Sequence, residues 1–512
     1  MKVNQLKLGS ALSYMQMGLN ILIGLIYTPI MLRMLGKGEY GLYQTVASTI
    51  SMLSVLNLGF NSSYIRYYSK YKSNNDFDSI FRLNGLFIII FSVIGIISLF
   101  CGAFLSFNLE FVFDKGLTSE EYGVARVLMI LLTLNLAASF PMSVFSNIIS
   151  AHEKFVFLKL LGMLKTVGGP LVTIPLLLLG FRSIGMVVVT LAISFLTDIA
   201  YFFYVKRKLK QRFIFNSFEK GIFKDLFVFT AFIAIDIIAY QINGNIGKLM
   251  LGRFHGTDIV AIYSVGFVLY HYYMQFSTAI SSVFTPRIHG IVISTNYDLK
   301  KQKIELTDLF TKVGRIQFLL LALIASGVFF FGKPFILKWA GDGYDDAYIV
   351  AVMLLFSSTI AFIQNLGIEI QRAENNHRFR SIIYIVMAIF NLLITLILCP
   401  KFGIVGAAIG TSASLLLANG LVMNIYYHLR CSIDIFYFWK SIGRLSIGLI
   451  LPCVFGFLLN YFTDVNSTVV LIVDILVYSA VYIVSMWFFG INQSEKNILI
   501  KPLIALKCRC RK

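Results

Sequence analysis

The chain has 512 residues, of which 58% are hydrophobic and only 13% charged, and it carries a net charge of +19. A soluble protein holds roughly 25% charged residues, so this composition excludes a water-soluble multidomain protein. It also excludes a disordered chain, which needs low hydrophobicity, and leaves a protein dissolved in a bilayer.

A bilayer core takes about 20 apolar helical residues. In chain order, continuous apolar runs place spans at 8–32, 41–65, 83–106, 124–149, 157–179, 183–205, 226–250, 259–285, 313–337, 347–370, 381–400, 404–429, 442–462 and 467–490. The runs are unbroken, not the short alternating segments of a barrel, so the expected fold is an all-α integral membrane protein of about 14 transmembrane helices. Lys2 and Lys7 precede a run of full spanning length, which reads as a retained helix rather than a cleaved signal.

Fourteen spans put both termini on one side. That side then receives 34 of the 44 Lys and Arg and a net charge of +23, the opposite side is neutral, and the spans hold −4. Basic loops face the cytoplasm, so both termini are expected there. The excess charge thus marks a membrane face and does not call for nucleic acid. The six cysteines form no metal-like spacing and no disulfide framework. Cys508 and Cys510 sit in a basic tail, and Asn466-Ser467-Thr468 fits a glycosylation pattern that is short and common by chance.

The sequence also repeats itself. Arg33, Gly36, Gly41, Leu42 and Tyr43 after the first span are matched by Arg253, Gly256, Ala261, Ile262 and Tyr263 after the seventh. Arg66 and Arg287, Ala151 and Ala373, and Phe181-to-Gly185 and Phe402-to-Gly406 follow at offsets of 221 or 222. An offset of six spans preserves orientation, so two parallel six-helix repeats plus two C-terminal helices are expected. The boundaries are 1–205 for the first lobe, 206–225 for a basic cytoplasmic linker, 226–430 for the second lobe, 431–490 for the added pair and 491–512 for a basic tail.

Three stretches carry a resemblance to a known family: Leu35–Tyr43, Leu58–Tyr68 and Gly403–Gly410. With the two lobes and the added pair, the chain resembles the polysaccharide transporter branch of the multidrug/oligosaccharidyl-lipid/polysaccharide exporter superfamily. The resemblance covers roughly residues 1–490 and is specific to fold and branch, not to substrate. It implies flipping of an undecaprenyl-diphosphate-linked oligosaccharide, such as an O-antigen or capsule repeat unit, for polysaccharide biosynthesis. A polysaccharide polymerase and chain-length proteins would then be partners, beside membrane lipids.

Charges inside a bilayer are costly, by at least about 2.5 kcal/mol at a helix centre, and usually face a cavity or a partner. Asp236, near the middle of the seventh span, reads equally as a cavity carboxylate that couples to an ion or as half of a helix–helix contact. Asn243, seven residues on, shares its face, Gln241, Asn245 and Lys248 add polar groups to the same span, and Asn20 offers a milder polar site in the first span. Lys165 and Lys248 could contact a diphosphate or acidic sugar, or could snorkel to the interface. Arg33 and Arg253 fit an exit gate or interfacial anchors, and Arg66 and Arg287 fit diphosphate capture or the ordinary basic face. Asp198 could pair with Lys165 or join Asp236 and His271 in coupling; Asp474 lies outside the repeats. The aromatic run Tyr270–Tyr273 fits a packed face better than a sugar platform.

No Walker loop, HExxH motif or other catalytic constellation occurs, so no enzyme, metal site or cofactor is expected. Energy would come from a proton or sodium gradient, from the substrate gradient or from downstream consumption. A cation-coupled drug antiporter of the same superfamily would have twelve spans and more intramembrane carboxylates. A membrane glycosyltransferase or polymerase would need a large extracytoplasmic domain. A non-transporting export scaffold would tolerate loss of Asp236 and Lys165.

Overall fold

The computed structural model describes residues 5–113, 117, 119–216, 221–295, 298–374, 377–431, 433–463, 467–493 and 495–496. Asn466 and the basic tail with Cys508 and Cys510 lie outside them. All regular elements among the described residues are helical: α1 (Gln5–Met52), α2 (Phe60–Ser73), α3 (Phe77–Phe107), α4 (Ser119–Ala151), α5 (Phe155–Leu178), α6 (Arg182–Phe203), α7 (Ile222–His255), α8 (Thr257–Ser294), α9 (Leu299–Ala340), α10 (Ala347–Ile363), α11 (Leu366–Ala373), α12 (His377–Leu415), α13 (Met423–Arg430), α14 (Ile435–Ser446), α15 (Ile450–Phe462) and α16 (Thr468–Ser485), with short 3-10 or π turns between some of them. Eleven helical stretches among the described residues are long and apolar enough to cross a membrane, so the protein is an all-α multi-pass membrane protein.

Two of those stretches, Leu8–Ser73 and Arg378–Arg430, run for 66 and 53 residues. At ~1.5 Å per residue each is far longer than a bilayer core of about 30 Å, so each must break. The breaks fall at glycines in the left-handed region, Gly36 (φ 76°) in α1 and Gly403 (φ 53°) in α12. Only glycine adopts such angles without strain, and both sit where the sequence separates one expected span from the next. Helices elsewhere overrun the apolar runs because polar caps extend them. Asp76 accepts from Ser79 N at 3.0 Å and starts α3 six residues before the expected span. Asp298 caps α9 in the same way, 222 residues later, in step with the repeat.

The chain forms two compact units, Met1–Gly266 with Arg378–Ser414, and Phe267–His377 with Leu415–Lys512. In the first, an aromatic core of Phe60, Tyr64, Phe87, Phe91, Phe140 and Phe145 joins α2, α3 and α4. Close backbone approach needs glycine: a Cβ on Gly41 would sit 1.8 Å from Thr257 O, so α1 touches the start of α8 at the repeated motif itself. The second unit packs Phe330, Phe331, Leu471 and Tyr478. It also buries an ion pair, in which Arg315 donates to both Glu495 oxygens and to the carbonyls of Ser441 and Gly490. Losing one partner of such a pair costs about 3–5 kcal/mol, so this is a structural rivet for the last helices. Asp474 is likewise structural, accepting from Thr463 Oγ1 at 2.9 Å.

Residues 209–216 follow a π turn at Tyr204–Lys208. Lys206, Arg207, Lys208, Lys210 and Arg212 are exposed, as a solvated basic segment requires. The backbone between them is nevertheless docked. Ile214 N donates to Phe81 O at 3.0 Å, and a Cβ on Gly85 would lie 2.1 Å from Ile214 O. Leu209 and Phe213 pack on the aromatic core.

Candidate functional site

α7 is 34 residues long and carries Asp236, Gln241, Asn243, Asn245 and Lys248 among its apolar residues. Residues 241, 245 and 248 follow one another at helical spacing, and so share a face. Glycines on that helix let α1 and α8 come close: a Cβ on Gly252 would lie 2.7 Å from Thr45 Cγ2, and one on Gly247 2.7 Å from the Tyr263 hydroxyl. The stripe is therefore met by polar side chains of its neighbours.

Gln241 Nε2 donates to Ser54 Oγ at 2.6 Å, and Asn245 Nδ2 donates to Gln241 Oε1 at 2.8 Å. Asn391 Nδ2, from α12, donates to Asn243 Oδ1 at 2.7 Å and is steadied by Thr395. Lys248 Nζ donates to Gln44 Oε1 at 3.2 Å, and Gln44 Nε2 in turn donates to the Tyr40 hydroxyl at 2.9 Å. The ammonium is thus steadied by an amide dipole. An amide partner lowers the cost of burying a charge.

A second polar group joins α1, α5 and α6. Thr166 Oγ1 donates to Asn20 Oδ1 at 2.8 Å, and a Cβ on Gly162 would meet Gln16. Lys165 Nζ donates to Ser194 Oγ at 2.8 Å. Asp198, one turn further along α6, lies within electrostatic range of that lysine. The expected Lys165–Asp198 pair is therefore a neighbourhood in which the ammonium's hydrogen bond goes to a serine.

The remaining sequence candidates take separate places. Asp236 is half-buried on α7, and no hydrogen bond or ion pair reaches it among the described residues. Arg33 is exposed beside the Gly36 break, and Arg253 is half-buried in the last turn of α7. Arg66 is exposed on α2 in the first unit, whereas Arg287 and His271 are exposed on α8 in the second. Sequence reasoning overlooked Gln44, Ser54, Asn391 and Thr395. A search for charges passes over amides and hydroxyls in apolar runs, although a buried Asn is itself a signal, since it must find a partner.

A family model described as polysaccharide biosynthesis protein matches residues 7–292. No curated protein matches the chain in sequence. Among solved structures, the chain is similar to the lipid II flippase MurJ in an inward closed conformation, with a TM-score of 0.70 at 16% identity over 97% of this chain and 99% of that one. It is also similar to an inward-facing multidrug resistance MATE family transporter of the MOP superfamily (TM-score 0.58, 14% identity, 81% and 94% covered). A MOP superfamily transporter from Pyrococcus furiosus Vc1 gives a TM-score of 0.55 at 14% identity, with 83% and 95% covered.

Proposed function

The chain belongs to the polysaccharide biosynthesis protein family, and from that membership we propose that it flips undecaprenyl-diphosphate-linked oligosaccharide repeat units across the cytoplasmic membrane. The observation that carries this reading is the α7 stripe, in which Lys248 is held by an amide amid further amides and hydroxyls. Amides and hydroxyls suit a glycan, and a desolvated ammonium suits a diphosphate. The fold shared with a lipid II flippase supports the same class of cargo.

In this reading α7 spans the membrane, completing fourteen spans with both termini cytoplasmic. The two six-helix lobes alternate access by rocking, while the prenyl tail stays in lipid. Arg66 and Arg287 capture the diphosphate at the cytoplasmic face. Lys165 and Lys248 hold it in transit, with Gln241, Asn243 and Asn20 on the sugar. Arg33 and Arg253 gate the exit. Asp236, with Asp198 and His271, couples the cycle to a proton or sodium ion. The glycan would come from cytoplasmic glycosyltransferases and pass to a polymerase and its chain-length partner.

The test is reconstitution into liposomes with a fluorescent lipid-linked glycan, read by quenching of the outer leaflet. Transfer faster than in empty liposomes, reduced at least about tenfold by Lys248→Met, is expected, since about 1.4 kcal/mol of lost charge-assisted bonding is a factor of ten. Transfer equal to empty liposomes with folded protein overturns the proposal.

A further inference from the structure

The turn after α4 places His152 at the junction of α2, α4 and the connector 209–216. Its Nδ1 lies 2.8 Å from Ile148 O, which can only accept, so Nδ1 carries the proton and Nε2 is left as an acceptor. Gln211 Nε2 donates to it at 3.4 Å and to Leu209 O at 3.2 Å, while the Tyr68 hydroxyl lies against the ring, 3.1 Å from Nε2 and 3.3 Å from Nδ1. Gln211 Oε1 accepts from Asn84 Nδ2 at 3.4 Å, and the same Asn84 amide donates to Arg212 O at 3.1 Å. Asn84 is fully buried, and its own oxygen accepts from the Tyr64 hydroxyl at 2.7 Å. The bonds thus run in one direction, from Tyr64 through Asn84 and Gln211 to His152 and Ile148.

Such a chain has one vulnerable point. A proton on Nε2 turns the terminal acceptor into a donor. Tyr68 can rotate its hydroxyl and accept, but the Gln211 amide nitrogen has only donors to offer. The Gln211 amide cannot simply flip, because its oxygen is engaged by Asn84. The charged surroundings add to the mismatch: Lys72 on α2 and Lys154 on the same turn both repel an imidazolium, while α3 and the connector contribute the neutral Asn84 and Gln211. The cations flanking Gln211, Lys210 and Arg212, are exposed.

We propose that His152 is a proton-sensitive latch: neutral, it clasps the connector 209–216 onto α3; protonated, it lets the connector go. The connector precedes α7 in the chain, so the latch sits on the covalent path to the polar stripe. The latch does not depend on the identity of any transported molecule. Burial first, and then Lys72 and Lys154, hold His152 below its ordinary value, against the opposing bond to Ile148. Release therefore belongs below about pH 6.5.

Hydrogen exchange of the full chain in nanodiscs, where both faces share one pH, tests this directly. Labelling times are scaled to the intrinsic exchange rate at each pH between about 7.5 and about 5. The Ile214 amide region is expected to lose protection at least about tenfold on acidification, the worth of one or two net hydrogen bonds. His152→Gln, whose amide oxygen can take the place of Nε2 without titrating, is expected to keep protection across the range. Gln211→Ala removes the held partner and is expected to exchange fast at every pH, which provides a reading even where the histidine variant folds poorly. Protection that does not change with pH in the wild type, an identical loss in His152→Gln, or slow exchange in Gln211→Ala would each overturn the latch.

Discussion

Each unit clasps a segment that follows a long helical stretch, and the two clasps differ in chemistry. In the first, Asn84 of α3 donates to Arg212 O. In the second, Thr307 of α9 accepts from Asp434 N at 2.9 Å. Asn84 and Thr307 are 223 residues apart, and Arg212 and Asp434 are 222 apart, so the two bonds occupy matched places in the repeat. At the matched loop position His152 stands in the first unit and Glu374 in the second, where Gln302 Nε2 donates to it at 2.8 Å. The geometry of the repeat thus persisted while its protonation chemistry diverged. Hydrogen-bond partners can be exchanged at a fixed place in the backbone provided that each buried donor or acceptor is satisfied.

The sharpest way to break this comparison is Gly85→Ala. The added Cβ would lie 2.1 Å from a carbonyl oxygen of the connector, which cannot move aside as a side-chain tip could. A destabilisation of up to about 3 kcal/mol is expected, seen as a lower melting temperature in detergent and fast connector exchange at all pH values. An unchanged melting temperature would mean that the connector is not docked.

A gentler comparison sets Asn84→Leu against Thr307→Val. The first strands the buried Tyr64 OH and the partly buried Gln211 Oε1 and Arg212 O, and is expected to cost about 2–3 kcal/mol. The second strands one backbone donor and is expected to cost about 1 kcal/mol. Equal shifts in thermal unfolding would remove the asymmetry between the clasps.

Smaller still is the pH dependence of stability. The folded state favours neutral His152, so its contribution is complete above the unfolded value of 6.5 and is lost as pH falls from there through the lowered folded value. His152→Gln is expected to flatten the unfolding temperature over that interval, and a profile parallel to the wild type would contradict the assignment. The smallest effect belongs to Cys431, beside the second clasp. Burial, and then the Glu374 carboxylate, push its thiol up to about 12. Peptide mapping after maleimide treatment near pH 8 is expected to find it unmodified, because the thiolate is the nucleophile.

Much of this was legible in the sequence, and the exceptions have physical causes. Apolar runs located the helices because bilayer thickness sets their length, and the Gly36 and Gly403 breaks fell between expected spans for the same reason. The Arg33-to-Tyr43 motif and its partner at Arg253 were visible because glycine and small residues are required where Gly41 meets Thr257. The connector was read as solvated since its cations dominate the composition. Its Gln211, Phe213 and Ile214, which alternate with those cations, carry the docking. Of the site, Lys248 and Asn243 stood out as polar residues in an apolar run. Their partners Gln44 and Asn391 come from helices about 150–200 residues away in sequence, and no local pattern joins them.

A lipid-linked glycan is proposed to cross the membrane through this chain. The most direct test is the rate at which a fluorescent lipid-linked oligosaccharide reaches the opposite leaflet of proteoliposomes. Transfer well above protein-free liposomes is expected, cut at least about tenfold by Lys248→Met and left intact by His152→Gln at neutral pH. Transfer no faster than in protein-free liposomes, from folded and correctly inserted protein, would contradict it.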